Sequence, residues 1–292
     1  MTLIIRQTVL MVIGLLLVSG TYLLHVRLDQ LQGEAPKTQR FAFLPQAEVL
    51  KIASLGYQSI VADFIWLQVI QAMGEKKVSE EAGRWIYRAL DVVTTLDPKF
   101  VRAYEAGGLV LCTLVVLPEE SNALLEKGMK HNPQAWQLPF YIGINYYFEL
   151  GDDAKAGEYI ARAARLPGAP AYLPGLAARL YVSAKAPQNA VELLASMYEN
   201  AADGDARKVL ELRLKQAIVV RDLQVLEAAI GRYRDRFSNQ PGQLEDLVVQ
   251  GVLSALPRDP FGERYLYDPS TQVVSSSSVE EKMTIKGHRR QG

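Results

Sequence analysis

The sequence predicts an all-α protein, a solenoid of antiparallel helix pairs with one N-terminal transmembrane helix and a small C-terminal β-hairpin cap. Three observations support this fold class. Between Pro45 and about Phe237, apolar residues recur at helical spacing and the interruptions fall at glycine or proline. A set of small and apolar residues in the middle of the chain returns at one constant offset. A long apolar stretch without Asp, Glu, Lys or Arg precedes the helical region.

The first element is this apolar stretch, residues 7–26, which lies between two arginines. About twenty helical residues at about 1.5 Å each span the roughly 30 Å of a bilayer core. We therefore expect a membrane anchor over residues 1–28 and a polar linker over residues 29–40. The alternative is a secretory signal that is cleaved after Gly20. Either alternative can place most of the chain outside the cytoplasm, and we expect a single-pass protein of a bacterial inner membrane with its bulk in the periplasm.

The helical region, residues 41–225, contains an internal repeat. A motif over residues 140–163 returns 34 residues later, over residues 174–197. The matched positions carry small residues where two antiparallel helices would touch and larger ones that would fill the space between them. These pairs are Gly143 and Ala177, Tyr147 and Tyr181, Ala156 and Ala190, and Ile160 and Leu194. On these residues the chain resembles tetratricopeptide-repeat proteins, whose period is 34 residues. The resemblance covers two good units (about 137–200) and degenerate ones (about 56–133), and we expect a further helical pair to about residue 237.

The resemblance implies a binding groove. In tetratricopeptide arrays the first helix of each unit lines a concave face, with ligand contacts at its second, fifth, ninth and twelfth positions. Carried over, these positions are Leu138, Tyr141, Asn145 and Phe148 in one unit and Tyr172, Gly175, Arg179 and Val182 in the next. Aromatic rings, an amide and a guanidinium suit peptide recognition. The partner-binding candidates are Tyr141, Asn145, Phe148, Tyr172 and Arg179. The alternative is that the aromatic residues pack between neighbouring units.

Residues 226–275 differ from the repeats. Within LPRDPFGERYLYDPSTQ, which begins at Leu256, a Pro-containing turn precedes Tyr265 and Tyr267, and their alternation is typical of a strand. A helix, a short helix after a proline, an Asp-Pro-Phe-Gly turn and a Tyr-x-Tyr strand follow one another, as in the carboxy-terminal half of type II secretion major pseudopilins, which this module resembles. Three roles stay open: a cap for the last repeat, a docking surface for a secretion machine, and calcium binding through Asp259 and Asp268. Residues 276–292 are expected to form a disordered tail.

Composition and residue chemistry favour binding over catalysis. The 292 residues carry 32 basic and 32 acidic side chains, so no net charge recruits nucleic acid. The single cysteine, Cys112, excludes a disulfide framework, and the three histidines lie far apart in the chain, so we predict no metal site, cofactor or enzyme activity. Asp63 and Glu105 are polar residues on apolar helices. We expect each to pair with Arg84, Arg88 or Arg102, and the alternative is a membrane-bound hydrolase that uses the two acids.

These observations together favour a membrane-anchored periplasmic scaffold or adaptor. We expect it to bind other proteins through the repeat groove, as an accessory subunit of a bacterial envelope complex. Its expected partners are subunits of that complex and the lipid bilayer through residues 7–26, with no nucleic acid and no small-molecule substrate. An alternative is a pseudopilin-related component of a type II secretion or type IV pilus machine, for which the module at 226–275 would provide the docking part.

Overall fold

The computed structural model describes residues 19–24, 27, 44–74, 78–202 and 204–277. These residues are mostly helical and include a two-stranded antiparallel sheet, which confirms the all-α prediction and the small hairpin. The helices with described bounds are α1 (Ala47–Ala53), α2 (Gln58–Met73), α3 (Glu80–Leu96), α4 (Val101–Thr113), α5 (Pro118–His131), α6 (Gln137–Phe148), α7 (Asp153–Ala164), α8 (Leu173–Ser183), α9 (Pro187–Glu199), α10 (Asp205–Phe237) and α11 (Glu245–Val249). The strands are β1 (Tyr265–Asp268) and β2 (Val273–Ser276).

Helix order in the chain is also helix order in space. From α4 to α10 each helix packs against the next, and α4 also contacts α6 while α8 contacts α10. Capping side chains and prolines determine where several helices begin. The Ser79 hydroxyl accepts a hydrogen bond from the Ala82 amide at the start of α3, and α5 and α9 begin at prolines. Packing between neighbours in sequence is the arrangement expected of a solenoid.

Small residues allow the helices to approach closely. A Cβ atom added to Gly143 would lie 2.7 Å from the Cδ1 atom of Ile160, so α6 and α7 touch where the repeat pattern predicted. Added Cβ atoms at Gly107 and Gly108 would likewise collide with leucine side chains. The close helix contact predicted at Gly143 is confirmed, and Gly107 and Gly108 provide further close contacts.

The offset of 34 residues is visible in burial. Gly143 and Ala177 are both buried, as are Ile160 and Leu194. The same offset separates two residues of the earlier turns. The side-chain amide of Asn132 donates to the carbonyl oxygen of Pro98, 34 residues before it, at 2.8 Å. These matched helix-contact positions therefore have the same buried environment in both units.

The last long helix differs from the expectation. Instead of a further helical pair, residues 205–237 form the single helix α10, which continues without interruption through the predicted domain boundary at 225–226. The sequence here has no proline, and its one glycine, Gly231, has open space around its Cα atom. Nothing in this stretch therefore stops the helix.

The C-terminal module packs on the second half of α10. Leu226 and Ile230 contact Leu244, Leu247 and Val274 in one apolar cluster. Along β1 half-buried residues alternate with exposed ones, which confirms the predicted alternation around Tyr265 and Tyr267. Antiparallel pairing joins Tyr265 to Ser276, and β2 therefore includes Ser276, the first residue of the expected tail. The rest of that tail, from residue 278, lies outside the described residues.

The membrane prediction concerns a part of the chain that is largely outside the described residues. Of the expected span 7–26, residues 19–24 are described, and the linker 29–40 is not. Within the described ranges, none of the helices combines the length and the apolar character that a membrane crossing requires.

Candidate partner-binding site

A concavity of about 410 Å³ opens between α8 and α10, and we refer to it as the α8–α10 concavity. Three of the predicted groove positions, Tyr172, Gly175 and Arg179, line it together with Val209 and Arg213 of α10. The structure therefore brings three carried-over positions of one unit to one surface. Val182, the fourth position of that unit, packs instead against the apolar cluster that joins α8, α9 and α10.

Helical periodicity places these side chains. Leu173 and Ala177 are buried against α7, and Ala178 packs towards α9 and α10. Tyr172, at the N-terminal cap, and Arg179 are seven residues apart and thus on one side of α8. Tyr172 is 60% exposed, so its ring stands at the rim of the concavity.

The charged side chains that line this surface among the described residues are both positive, Arg179 and Arg213. Arg179 is half-buried and, among the described residues, makes no hydrogen bond or ion pair. Arg213 donates from Nη1 to Oε1 of Gln216 at 2.9 Å. The described residues that line the concavity include no Asp or Glu. A half-buried guanidinium without an anionic partner favours a ligand that brings a carboxylate or a phosphate.

Asn145 lies elsewhere. It is 2% exposed, and its Nδ2 atom donates to the Ser121 hydroxyl at 2.7 Å and to Oδ1 of Asn122 at 2.8 Å. The amide therefore joins α5 to α6 inside the protein, where a partner does not reach it. Leu138, of the same unit, is fully buried as well. The small buried polar side chains of α5 pair with Asn145 because a buried amide needs hydrogen-bond partners.

The aromatic candidates on α6 differ from each other. Tyr141 is half-buried against the core, its ring centroid is 5.4 Å from that of Phe140, and burial raises the pKa of its phenol. This environment matches the packing alternative for Tyr141. Phe148 is 39% exposed and contacts Tyr147 at 4.8 Å between ring centroids. Neither ring lines the α8–α10 concavity.

Sequence reasoning did not select Arg213 and Val209. Both belong to α10, which follows the recognisable units and carries no repeat position from which a role could be transferred. The available signal was their spacing of four residues in ARKVLELRLKQ, which places an arginine and an apolar residue on the same side of a helix.

A larger cleft of about 570 Å³ lies in the C-terminal module. Its lining includes Leu226, Tyr265 and Tyr267 and charges of both signs, among them Arg258 and Glu263. The hydroxyl of Tyr265 is already engaged, because it donates to Oδ2 of Asp222 at 2.9 Å. This mixed lining selects no ligand charge, and the α8–α10 concavity is the more specific site.

The acidic residues considered for catalysis or metal binding are separate. Glu105 is 8% exposed and pairs with Arg102, whose Nη1 atom lies 3.2 Å from Oε2, as predicted. Asp63, which we expected to pair with an arginine as a buried carboxylate does, is instead exposed, because α2 turns Ala62 and Ile65 inward. In the part of the chain that the structure describes, no three His, Cys, Asp or Glu side chains form a metal-binding group.

The two carboxylates considered for calcium lie in different hydrogen-bonded turns. Asp259 accepts from the Phe261 amide at 2.8 Å and from the Ser276 hydroxyl at 2.8 Å. Asp268 accepts from the amide and hydroxyl of Ser270 and from the hydroxyl of Thr271, and these bonds lower its pKa to about 2. Each carboxylate therefore stabilises its own turn.

Known proteins add no direct guide to the function, because no family model and no curated protein matches the chain. The resemblances to tetratricopeptide-repeat proteins and to pseudopilins stay predictions from residue spacing.

Proposed function

We propose that the chain is a membrane-anchored periplasmic scaffold or adaptor with tetratricopeptide-like helix pairs. It binds an acidic segment of a partner protein in the α8–α10 concavity and serves as an accessory subunit of a bacterial envelope complex. The observation that carries this proposal is the half-buried Arg179, which has no ion-pair partner among the described residues, beside the exposed Tyr172 and a second guanidinium, Arg213. Two guanidiniums would hold the carboxylates of the partner, and the aromatic ring would cover its backbone.

The nature of the site supports binding rather than catalysis. Its polar groups are guanidiniums, which stay protonated and do not act as general bases near neutral pH. The concavity is open, as a site for an extended polypeptide segment requires. Solenoids built from helix pairs use concave surfaces of this kind to bind partners.

A photo-crosslinking experiment in native membranes tests this proposal. A photoreactive phenylalanine analogue replaces Tyr172 in the full-length chain, and Asn189, exposed on α9, provides the matched control position. We expect a crosslink from position 172 to an Asp- or Glu-rich segment and none to that segment from position 189. A synthetic peptide of the crosslinked segment should bind the purified chain, and Arg179→Glu should weaken this binding at least tenfold. A crosslinked segment without acidic residues, or a peptide that binds equally after Arg179→Glu, contradicts the proposal.

A second candidate is a docking role for the C-terminal module, as part of a secretion or pilus machine. Exposed apolar side chains support it, since Val249 is 79% exposed and Leu266 and Val273 lie together on the outer side of the hairpin. Such side chains are typical of protein contact surfaces. In this case Leu266→Lys with Val273→Lys releases a complex that survives Arg179→Glu, whereas the concavity proposal expects the opposite pattern.

A further inference from the structure

The first two helices present an unusual surface to solvent. Large apolar side chains on the outward side of α1, of the turn after it and of α2 are more than half exposed, with Leu55 at 85% and Ile52 at 78%. We refer to this surface as the α1–α2 face, and it is formed by Ile52, Leu55, Tyr57, Ile60, Phe64 and Leu67. A contiguous apolar surface of this kind marks a contact with something other than water.

Helix α2 carries large apolar residues on both sides, although the described part of the chain covers only one of them. Its inward side, which includes Ile65 and Val69, packs into the core. Its outward side carries Ile60, Phe64 and Leu67, with the exposed carboxylate of Asp63 at the edge of this side. The neighbouring α3 behaves as a surface helix should, since its outward side carries the Arg84–Glu80 ion pair at 2.8 Å. The side of a surface helix that faces away from the core is normally polar, and within the described residues nothing covers these apolar side chains of α2.

The turn between α1 and α2 projects outward. Leu55 has φ 48° and Gly56 has φ 95°, so two successive residues adopt the left-handed region. A leucine rarely adopts this conformation, and here the conformation directs an apolar side chain into solvent beside Tyr57. An apolar, protruding loop tip with an adjacent tyrosine is suited to shallow insertion into a lipid interface.

The position in the chain identifies the occupant. The α1–α2 face belongs to the first described helices after the predicted anchor. The chain from Arg27 to Leu44 comprises about 17 residues and reaches at most about 60 Å in any conformation. An anchored chain therefore keeps this face within about 60 Å of the membrane surface, where it can reach the bilayer. The charged residues of these two helices are Glu48, Lys51 and Asp63, with a net charge of −1, so the contact does not depend on attraction to anionic lipids.

We propose that the α1–α2 face lies in the interfacial region of the membrane that anchors the chain, with Leu55, Tyr57 and Phe64 at the depth of the upper acyl chains. This contact fixes the orientation of the helical array relative to the bilayer. It rests on the anchor of the proposed function and is independent of the α8–α10 concavity.

Depth-dependent quenching on the full-length chain tests this inference. Leu55→Cys and Phe64→Cys carry an environment-sensitive fluorophore in phosphatidylcholine vesicles, and Asn189→Cys is the matched control. The native Cys112 is 3% exposed and stays unlabelled in the folded protein. We expect blue-shifted emission and at least twofold quenching by spin-labelled lipids at positions 55 and 64, with neither at position 189. Added phosphatidylserine or 0.5 M salt should leave the quenching unchanged.

Three outcomes overturn the inference. Vesicles that carry the chain but leave positions 55 and 64 unquenched show that the face is free of lipid, while the anchor still holds. Emission shifts that rise with the protein-to-lipid ratio and resist lipid quenching assign the face to a second copy of the chain. A chain that does not float with the vesicles contradicts the anchor, and the inference with it. Peptide binding at the α8–α10 concavity is measured separately and is unaffected by any of these results.

Discussion

The side-chain amide of Asn132 donates a 2.8 Å hydrogen bond to the backbone carbonyl of Pro98. This bond joins the end of α5 to the turn between α3 and α4, so one side chain connects the C-terminal ends of α3 and α5. We expect Asn132→Ala to lower the free energy of unfolding by about 1 kcal/mol, since water replaces part of the lost bond. Urea denaturation measures this loss. The exposed Asn189→Ala is the control, and an equal loss in both variants contradicts the role of the bond.

Gly143 is a point of contact between α6 and α7. Alanine at this position would place its Cβ atom 2.7 Å from Ile160 and 3.1 Å from the Ala156 carbonyl oxygen. We expect Gly143→Ala to cost about 1–3 kcal/mol in thermal or urea unfolding, as overpacking does. The matched control is Gly231→Ala in α10, where no atom lies within 4 Å of the added Cβ atom. That change should stabilise the protein by up to about 1 kcal/mol, because alanine favours helix.

Asn145 and Arg179 should respond in opposite ways. Asn145→Leu leaves Oδ1 of Asn122 buried without its donor, and we expect a loss of about 1–3 kcal/mol of stability with the dissociation constant for an acidic peptide unchanged. Arg179→Ala should leave the stability within about 0.5 kcal/mol and weaken the peptide. Unfolding curves and a binding titration on both variants measure this. If Asn145→Leu, folded at the assay temperature, loses binding, the assignment of Asn145 to the core is wrong.

Burial of Tyr104 makes stability sensitive to alkaline pH. Tyr104 is fully buried, and desolvation raises its pKa to about 12, against about 10 in an unfolded chain. The stabilisation linked to its proton is complete below pH 10 and is lost as the pH rises towards 12. We expect the free energy of unfolding to fall by up to about 2–3 kcal/mol over this window from Tyr104 alone. Tyr104→Phe should reduce the slope, and an unchanged slope contradicts this account.

Two tyrosines of β1 offer a matched pair. The hydroxyl of Tyr265 donates to Asp222, which is 3% exposed, whereas the buried hydroxyl of Tyr267 has no hydrogen-bond partner among the described residues. We expect Tyr265→Phe to destabilise the hairpin by about 1–3 kcal/mol and Tyr267→Phe to be neutral or stabilising. Hydrogen exchange at the β1 amides measures the local effect. Equal protection in the two variants contradicts the difference in bonding.

The sequence predicted the part of the fold that depends on local periodicity. Apolar spacing identified the helices, and small residues such as Gly143 located a helix contact, because a close approach admits few residue types. The same reasoning failed at α10, since it expected a turn that no proline or poorly placed glycine enforces. The spacing of apolar residues indicates that a segment is helical, but it does not show where one helix ends and the next begins.

Only part of the candidate site could be predicted from the sequence. The position of Arg179 followed from the repeat register, but its neighbour Arg213 comes from a helix without a repeat position. Asn145 occupies a predicted groove position, but its side chain is buried. The repeat register does not show that Ser121 and Asn122 of the neighbouring helix accept its hydrogen bonds. The exposure of Asp63 could not be predicted either, because α2 has apolar residues on both sides and its sequence does not show which side the core covers.

The continuity of α10 has a mechanical consequence. Its 33 residues extend about 50 Å, with Arg213 near the beginning and Asp222, the partner of the hairpin, further along the same helix. Arg213 and Asp222 are nine residues apart, about 14 Å along the helix axis. A force applied to the hairpin is therefore transmitted to the α8–α10 concavity through continuous helix, without a loop between them that could act as a hinge.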